Sequence, residues 1–121
     1  MTIKVGITGA AGRMGRTLIE TIAQQPGLEL AAAVEQPESS LIGADAGELA
    51  GLGKLGVPVS AALTEVIAQI DVLIDFTVPA ATLANLEACA AAGKAMIIGT
   101  TGFTAEQDQL IKRAAGKVPV C

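Results

Sequence analysis

Apolar positions in this chain fall into short runs and longer periodic stretches that alternate from one end to the other. Residues 3–8, Ile-Lys-Val-Gly-Ile-Thr, run apolar more than they alternate, the pattern of a central strand covered on both faces. From Arg13 to Gln25, Met14, Leu18 and Ile22 recur at helical spacing with Ile19 and Ala23 beside them, predicting an amphipathic helix closed by Pro26-Gly27. Residues 28–34 read as a second strand ending at Glu35. Residues 36–58 are rich in glycine and hold no lasting period, which predicts a long loop with a turn at 46–50 and a short strand at 57–59. Loops of that length inside a compact domain are more often functional than idle.

Ser60 is expected to cap a short helix carrying Leu63, Val66 and Ile67. Residues 71–76 form the next predicted strand, and Pro79 stands where a helix over 80–92 begins. That helix carries Leu83, Leu86 and Ala90 on one stripe and stops at Gly93. Residues 95–98 give a further strand that delivers Gly99-Thr100-Thr101-Gly102. Thr104 and Gln107 match a capping box for a last helix, with Leu110, Ile111 and Ala114 inward and Gly116 at its end. The strand–helix alternation implies an α/β fold, a doubly wound parallel sheet whose ligands sit beyond the carboxyl ends of the strands. Residues 118–121 begin one more apolar strand. Chain termini usually lie at exposed polar positions, so we expect residues 1–121 to be one domain of a longer protein.

Composition narrows the chemistry. At 51% hydrophobic and 17% charged, with apolar runs too short for a membrane span, the chain should be soluble. Phe76 and Phe103 are its only aromatic residues and its net charge is −4, which argues against nucleic-acid binding. There is no histidine, and Cys89 and Cys121 lie at no metal-ligand spacing, so no metal site is expected and a reducing, cytoplasmic setting is. The early first strand leaves no room for a signal peptide. Without histidine or a positioned lysine, no set of nucleophile, base and orienting group can be assembled, and we assign no catalytic residue. Asp75, at a strand end, reads as a turn or capping residue rather than a general base.

The candidate site starts at Gly9-Ala10-Ala11-Gly12-Arg13-Met14-Gly15, between a strand and a helix. Gly12 and Gly15 hold the last two places of a G-x-G-x-x-G frame, with Gly9 one place ahead of the first. Gly9 would serve the tight exit from the strand, Gly12 the close approach of a diphosphate, and Gly15 the packing of helix on sheet. The other reading is a bare strand-to-helix turn. Arg13 and Arg16 add positive charge there, or are solvated. Glu35 lies 20 residues after Gly15, a position from which a carboxylate accepts hydrogen bonds from adenosine ribose hydroxyls. A carboxylate repels a 2′-phosphate and Gln36 offers no countercharge, which tilts the site towards NADH over NADPH, with Arg13 or Arg16 as the alternative source of a countercharge for NADPH. Phe76, Thr77, Gly99, Thr100 and Thr101 stand where the nicotinamide half would lie, although ordinary turn chemistry also suits them. The chain has the features of a Rossmann-like cofactor holder.

These residues resemble the 4-hydroxy-tetrahydrodipicolinate reductase (dihydrodipicolinate reductase) family of bacterial lysine and diaminopimelate biosynthesis. The likeness runs through residues 5–15, Gly43-Ala44-Asp45-Ala46-Gly47-Glu48-Leu49, Asp75-Phe76-Thr77 and Gly99-Thr100-Thr101-Gly102-Phe103. The resemblance implies an NAD(P)H-dependent oxidoreductase that transfers hydride to a small cyclic dicarboxylate, giving tetrahydrodipicolinate. It implies that Gly9 to Met14 bind the diphosphate, Glu35 and Gln36 the adenosine side, and Gly99 to Thr101 the nicotinamide end, with Thr101 also near the substrate carboxylate. Gln36 stands where some members carry an arginine for the 2′-phosphate, and Val78 where an arginine often follows Phe-Thr. Members continue into a second domain with His-His and Lys residues for the substrate and the homotetramer interface. This chain alone is then expected to bind cofactor and not to catalyse. The alternative is a non-catalytic nucleotide-sensing module, to be told apart by whether the gene continues past Cys121.

Overall fold

The computed structural model describes residues 2–100, 102–114, 116 and 120. Its centre is a five-stranded parallel sheet in the order β3-β2-β1-β4-β5, formed by β1 (Ile3–Thr8), β2 (Leu28–Val34), β3 (Val59–Ser60), β4 (Val72–Asp75) and β5 (Ala95–Ile98). The chain builds outward from β1 through β2 to β3, then returns to lay β4 on the other side of β1. The strand order therefore changes direction at β1, and a crevice opens beyond its carboxyl end. Register places Thr8 beside Val34 on one side and beside Asp75 on the other. Val120 makes a parallel bridge to Met96, where the sequence predicts a further strand; residues 117–119 and 121 lie outside the described residues.

Strand alternation sorts the core into two layers. Val5 and Ile7 of β1 point with Leu30 and Ala33 towards helix α1 (Arg13–Gln24), where they bury Ile19 and Ile22. The opposite layer joins Ala32, Val34, Leu63, Ile70, Leu73 and Met96 to Leu86 and Cys89 of helix α3 (Pro79–Ala92). Each large side chain so enclosed contributes roughly 1.5–3 kcal/mol relative to exposure. Position 6 of β1 is glycine because Ile70 occupies the space: a Cβ there would stand 2.9 Å from Ile70 Cγ2. On the same face, two residues further along, lie Thr8 of β1 and Asp75 of β4.

Several local expectations change. The inner face of α1 is Gly15, Ile19 and Ile22, whereas Met14 and Ala23 are exposed. Gly15 lets the helix approach the turn before it, and that contact rotates the stripe away from Met14. Ser60 pairs with Val34 in β3 and caps nothing; Leu63–Glu65 and Ile67–Gln69 are two separate 3-10 turns instead of a short α-helix. Leu110 in helix α4 (Ala105–Ala114) is exposed, on a groove shared with α3. The capping box is formed: the Gln107 N–H donates to Thr104 Oγ1 (3.2 Å) and the Thr104 N–H to Gln107 Oε1 (2.8 Å). Pro79 is the first residue of α3, and Gly93 ends it at φ 71°.

The segment between β2 and β3 is more ordered than its composition suggests. It contains the short helix α2 (Ala46–Leu49), close to the expected turn, and is tied together by Asp45. The Asp45 carboxylate accepts N–H groups from Glu48 (3.2 Å), Leu55 (2.8 Å), Gly56 (2.7 Å) and Val57 (3.0 Å). These donors, the Leu55 N–H foremost, hold the Asp45 carboxyl below its ordinary pKa. Among the described residues, no helix is long and apolar enough to cross a membrane, and no cluster of side chains has the makings of a metal site.

Candidate functional site

The turn after β1 is held by its own backbone. The Gly9 and Ala10 N–H groups donate to the Val34 carbonyl (3.0 and 3.3 Å), and the Gly12 N–H donates to Gly9 (3.1 Å). Gly9 has φ +77°, and a Cβ on it would overlap the Phe76 carbonyl oxygen. A Cβ on Gly15 would overlap the Gly9 carbonyl and stand 2.8 Å from Ala10 Cα. Packing therefore demands both residues with no reference to a ligand. Gly12 differs: it has φ −73°, and a Cβ there would come no nearer than 3.4 Å to Gly9 O. Nothing inside the domain requires glycine at that position. Gly12 is also the N-cap of α1 and supplies no side-chain cap, so the first-turn N–H groups of Arg13 and Met14 have no capping side chain.

Glu35 reaches this turn directly. Its Oε2 accepts the Ala11 N–H at 2.9 Å, and its Oε1 accepts the Gln36 N–H at 3.1 Å. Arg16 Nε donates to the Ala11 carbonyl at 3.0 Å, so the two successive peptides that flank Ala11 are held, one by a carboxylate and the other by a guanidinium. Arg16, Arg13 and Met14 are all exposed on the start of α1, and among them Arg16 is tied back to the turn by its side chain. A crevice of about 270 Å³ runs along the strand ends, lined by Gly9, Glu35, Gln36, Thr77 and the apolar wall Ala61–Leu63, with Asn85 from α3. A larger groove of about 690 Å³ between α3 and α4 shares no residue with it.

On the far side of β1 the loops after β4 and β5 are locked together. The Thr77 N–H donates to Thr100 Oγ1 at 2.9 Å. Gly99 lies against the Phe76 ring so closely that a Cβ there would overlap it. Both threonines then bond to Asp75, whose carboxylate is fully buried. Thr8 Oγ1 donates to Oδ1 at 2.5 Å, Asn85 Nδ2 to the same oxygen at 2.9 Å, and Thr77 Oγ1 at 3.0 Å. Oδ2 takes the hydroxyls of Thr100 (2.9 Å) and Thr82. Asp75 is thus neither an exposed turn residue nor a helix cap, as its sequence position suggests, because all these partners are side chains. Burial, and then the Asp75 charge, push the Cys89 thiol up to about 11.

The structure brings Gly9, Glu35 and Gln36 to one crevice, ties Ala11 to Glu35, and joins Phe76 to Gly99 and Thr77 to Thr100. Thr101 lies outside the described residues. Sequence reasoning missed Thr8, Thr82 and Asn85, and the Ala61–Leu63 wall. The available signal was alternation: Asp75 is two residues from the buried Leu73 on the inner face of β4.

A parallel sheet that reverses its order at β1, with a glycine turn there and an acidic residue ending β2, defines a Rossmann-like domain. The family described as dihydrodipicolinate reductase, N-terminus, matches residues 3–121. The chain belongs to that family. A 4-hydroxy-tetrahydrodipicolinate reductase of Acinetobacter baumannii is 58% identical over 117 residues, covering 97% of this chain and 42% of its own length. Its Acinetobacter baylyi counterpart is 56% identical over the same shares. Among solved structures, dipicolinate-bound dihydrodipicolinate reductase from Paenisporosarcina is similar with a TM-score of 0.74 and 29% identity, across 95% of this chain and 43% of that one. The chain therefore spans less than half the length of these relatives.

Proposed function

We propose that this domain binds a nicotinamide dinucleotide along the crevice at the β1 end, as the cofactor half of a 4-hydroxy-tetrahydrodipicolinate reductase. The observation that carries the reading is Gly12, a glycine that internal packing does not require, opening an uncapped helix beside the Glu35 carboxylate. An open Gly12 admits a diphosphate to the first-turn N–H groups, where the helix dipole and the Arg13 and Arg16 charges favour an anion. Glu35 accepts the ribose hydroxyls, and Ala61–Leu63 supply an apolar wall for the base. Phe76, Thr77, Gly99 and Thr100 hold the nicotinamide end, with Thr101 alongside it and towards the substrate carboxylate. The cofactor, when bound, supplies hydride for reduction of the cyclic dicarboxylate. We assign substrate positioning and tetramer formation to the portion of the relatives that this chain does not span. The chain by itself is then a cytoplasmic cofactor binder that does not turn over.

Titration with NADH, read by nicotinamide fluorescence, tests the reading; no binding at millimolar cofactor would overturn it. The carboxylate test is Glu35→Gln, which keeps an oxygen for the Ala11 N–H while removing the charge. Relief of repulsion against a 2′-phosphate should shift the NADH-to-NADPH affinity ratio towards NADPH by roughly tenfold, a change of about 1.4 kcal/mol. An unchanged ratio would remove Glu35 from cofactor selection.

A further inference from the structure

The buried Asp75 is a charge-bearing group that the proposed function does not use. Its five described side-chain partners, Thr8, Thr77, Thr82, Asn85 and Thr100, are all neutral donors, and they come from β1, α3 and the loops after β4 and β5. A carboxylate accepts and a hydroxyl carries one hydrogen, so each threonine that donates to Asp75 has only lone pairs left for anything else. Thr100 shows the consequence within the fold: its Oγ1 gives its hydrogen to Asp75 and accepts the Thr77 N–H. Thr77 lines the crevice, and its Oγ1 lies 3.0 Å from Asp75 Oδ1, with Asp75 Oδ2 and Thr82 Oγ1 at 3.2 Å and the Val78 carbonyl at 3.4 Å; donating along the shortest of these, to Asp75, leaves Thr77 Oγ1 only lone pairs for a ligand.

We infer that Asp75 is a positioning residue for the nicotinamide end of the bound dinucleotide. By taking the hydroxyl hydrogens of Thr77 and Thr100 it fixes both side chains, and it turns Thr77 into an acceptor suited to an amide N–H donor such as the nicotinamide carboxamide. Asp75 touches no ligand itself. The inference rests on the dinucleotide reading above and extends it to a residue buried beneath the site. It also separates the two ends of the ligand: the adenosine and diphosphate end meets the glycine turn and Glu35, which have no described hydrogen bond to Asp75.

The test compares NADH with ADP-ribose, which lacks the nicotinamide, on the intact chain and on Asp75→Asn, Thr82→Val and Thr82→Ser. Thr82 is fully buried and serves as the remote probe of the network. Asp75→Asn replaces one acceptor oxygen by a donor and should weaken NADH about tenfold or more, the scale of a buried hydrogen bond to a charged group. Thr82→Val should weaken NADH about fivefold by removing one neutral donor from Asp75, with Thr82→Ser restoring it. ADP-ribose binding should stay within about twofold in all three, since the glycine turn and Glu35 that hold it make no described hydrogen bond to Asp75. Equal losses for both probes would mean a general structural role, and no loss for either would mean no role; each overturns the inference while leaving the cofactor reading intact. Should Asp75→Asn not fold, the Thr82 pair decides alone. If the unmodified chain binds neither probe, the cofactor reading falls and the inference with it.

Discussion

The two halves of the sheet end in loops at the same edge of the molecule, yet they are built from different material. After β1 the chain uses backbone: two glycines packed against carbonyls, N–H groups on Val34 and Gly9, and one carboxylate gripping Ala11. After β4 and β5 it uses side chains: four threonine hydroxyls and an amide converge on one buried carboxylate. A glycine turn that opens a helix supplies its own backbone donors and needs little support. Two loops without such a turn need an anchor beneath them, and Asp75 provides it.

The contrast breaks most sharply at the glycines. Gly9→Ala places a methyl group in the Phe76 carbonyl and at a φ that alanine avoids, with backbone on both sides unable to yield. It should destabilise the domain by about 3 kcal/mol or more in denaturant melts. Gly12→Ala meets no such obstacle and costs only the N-cap preference for glycine over alanine, so stability should stay within about 1 kcal/mol while NADH affinity falls severalfold. Equal melting midpoints for the two variants would erase the distinction. In the other half the neighbour of Gly99 is a side chain, the Phe76 ring, which can turn aside. Gly99→Ala should therefore cost about 1–2 kcal/mol, less than Gly9→Ala, by the same melts.

The smallest effect concerns Cys89, beneath the hydroxyl network. Its thiol is held neutral by burial and by Asp75, with a pKa raised from 9.0 to about 11. A group whose pKa is raised on folding gives stability that is complete below its unfolded value and lost as pH rises through the folded one. Stability should fall between pH 9 and 11, and Cys89→Ala should flatten that slope in urea melts across the range. An identical slope in the variant would assign the alkaline loss to other groups.

The first half was legible in the sequence because its logic is local. Glycine spacing, the strand before it and Glu35 beyond the crossover are all set by position along the chain, and five strand positions follow from apolar runs. Even there the inner stripe of α1 was misplaced at Met14, since Gly15 packs against a turn that periodicity does not see. The second half was legible only in its elements. Thr8 and Asp75 are 67 residues apart, and nothing in either neighbourhood announces the other until parallel pairing sets them side by side. The end of β3 was misread at Ser60 for the same reason: strand pairing with Val34 outweighed the local capping preference of serine.

Asp45 has a consequence for how the chain assembles. The stretch from Glu35 to Ser60 is already pinned by main-chain bonds from Gly43 to Val59, from Val59 to Ala44 and from Ala46 to Val57, and Asp45 adds closures of its own to a loop whose closure entropy grows with the logarithm of its length. By gathering N–H groups from Glu48 to Val57, one carboxylate divides that stretch into shorter loops with their own closing contacts. The path is therefore written largely in main-chain donors, which every residue but proline possesses, while packing fixes a few side chains: Ala46 is fully buried, and a Cβ on Gly47 would overlap the Gly53 carbonyl.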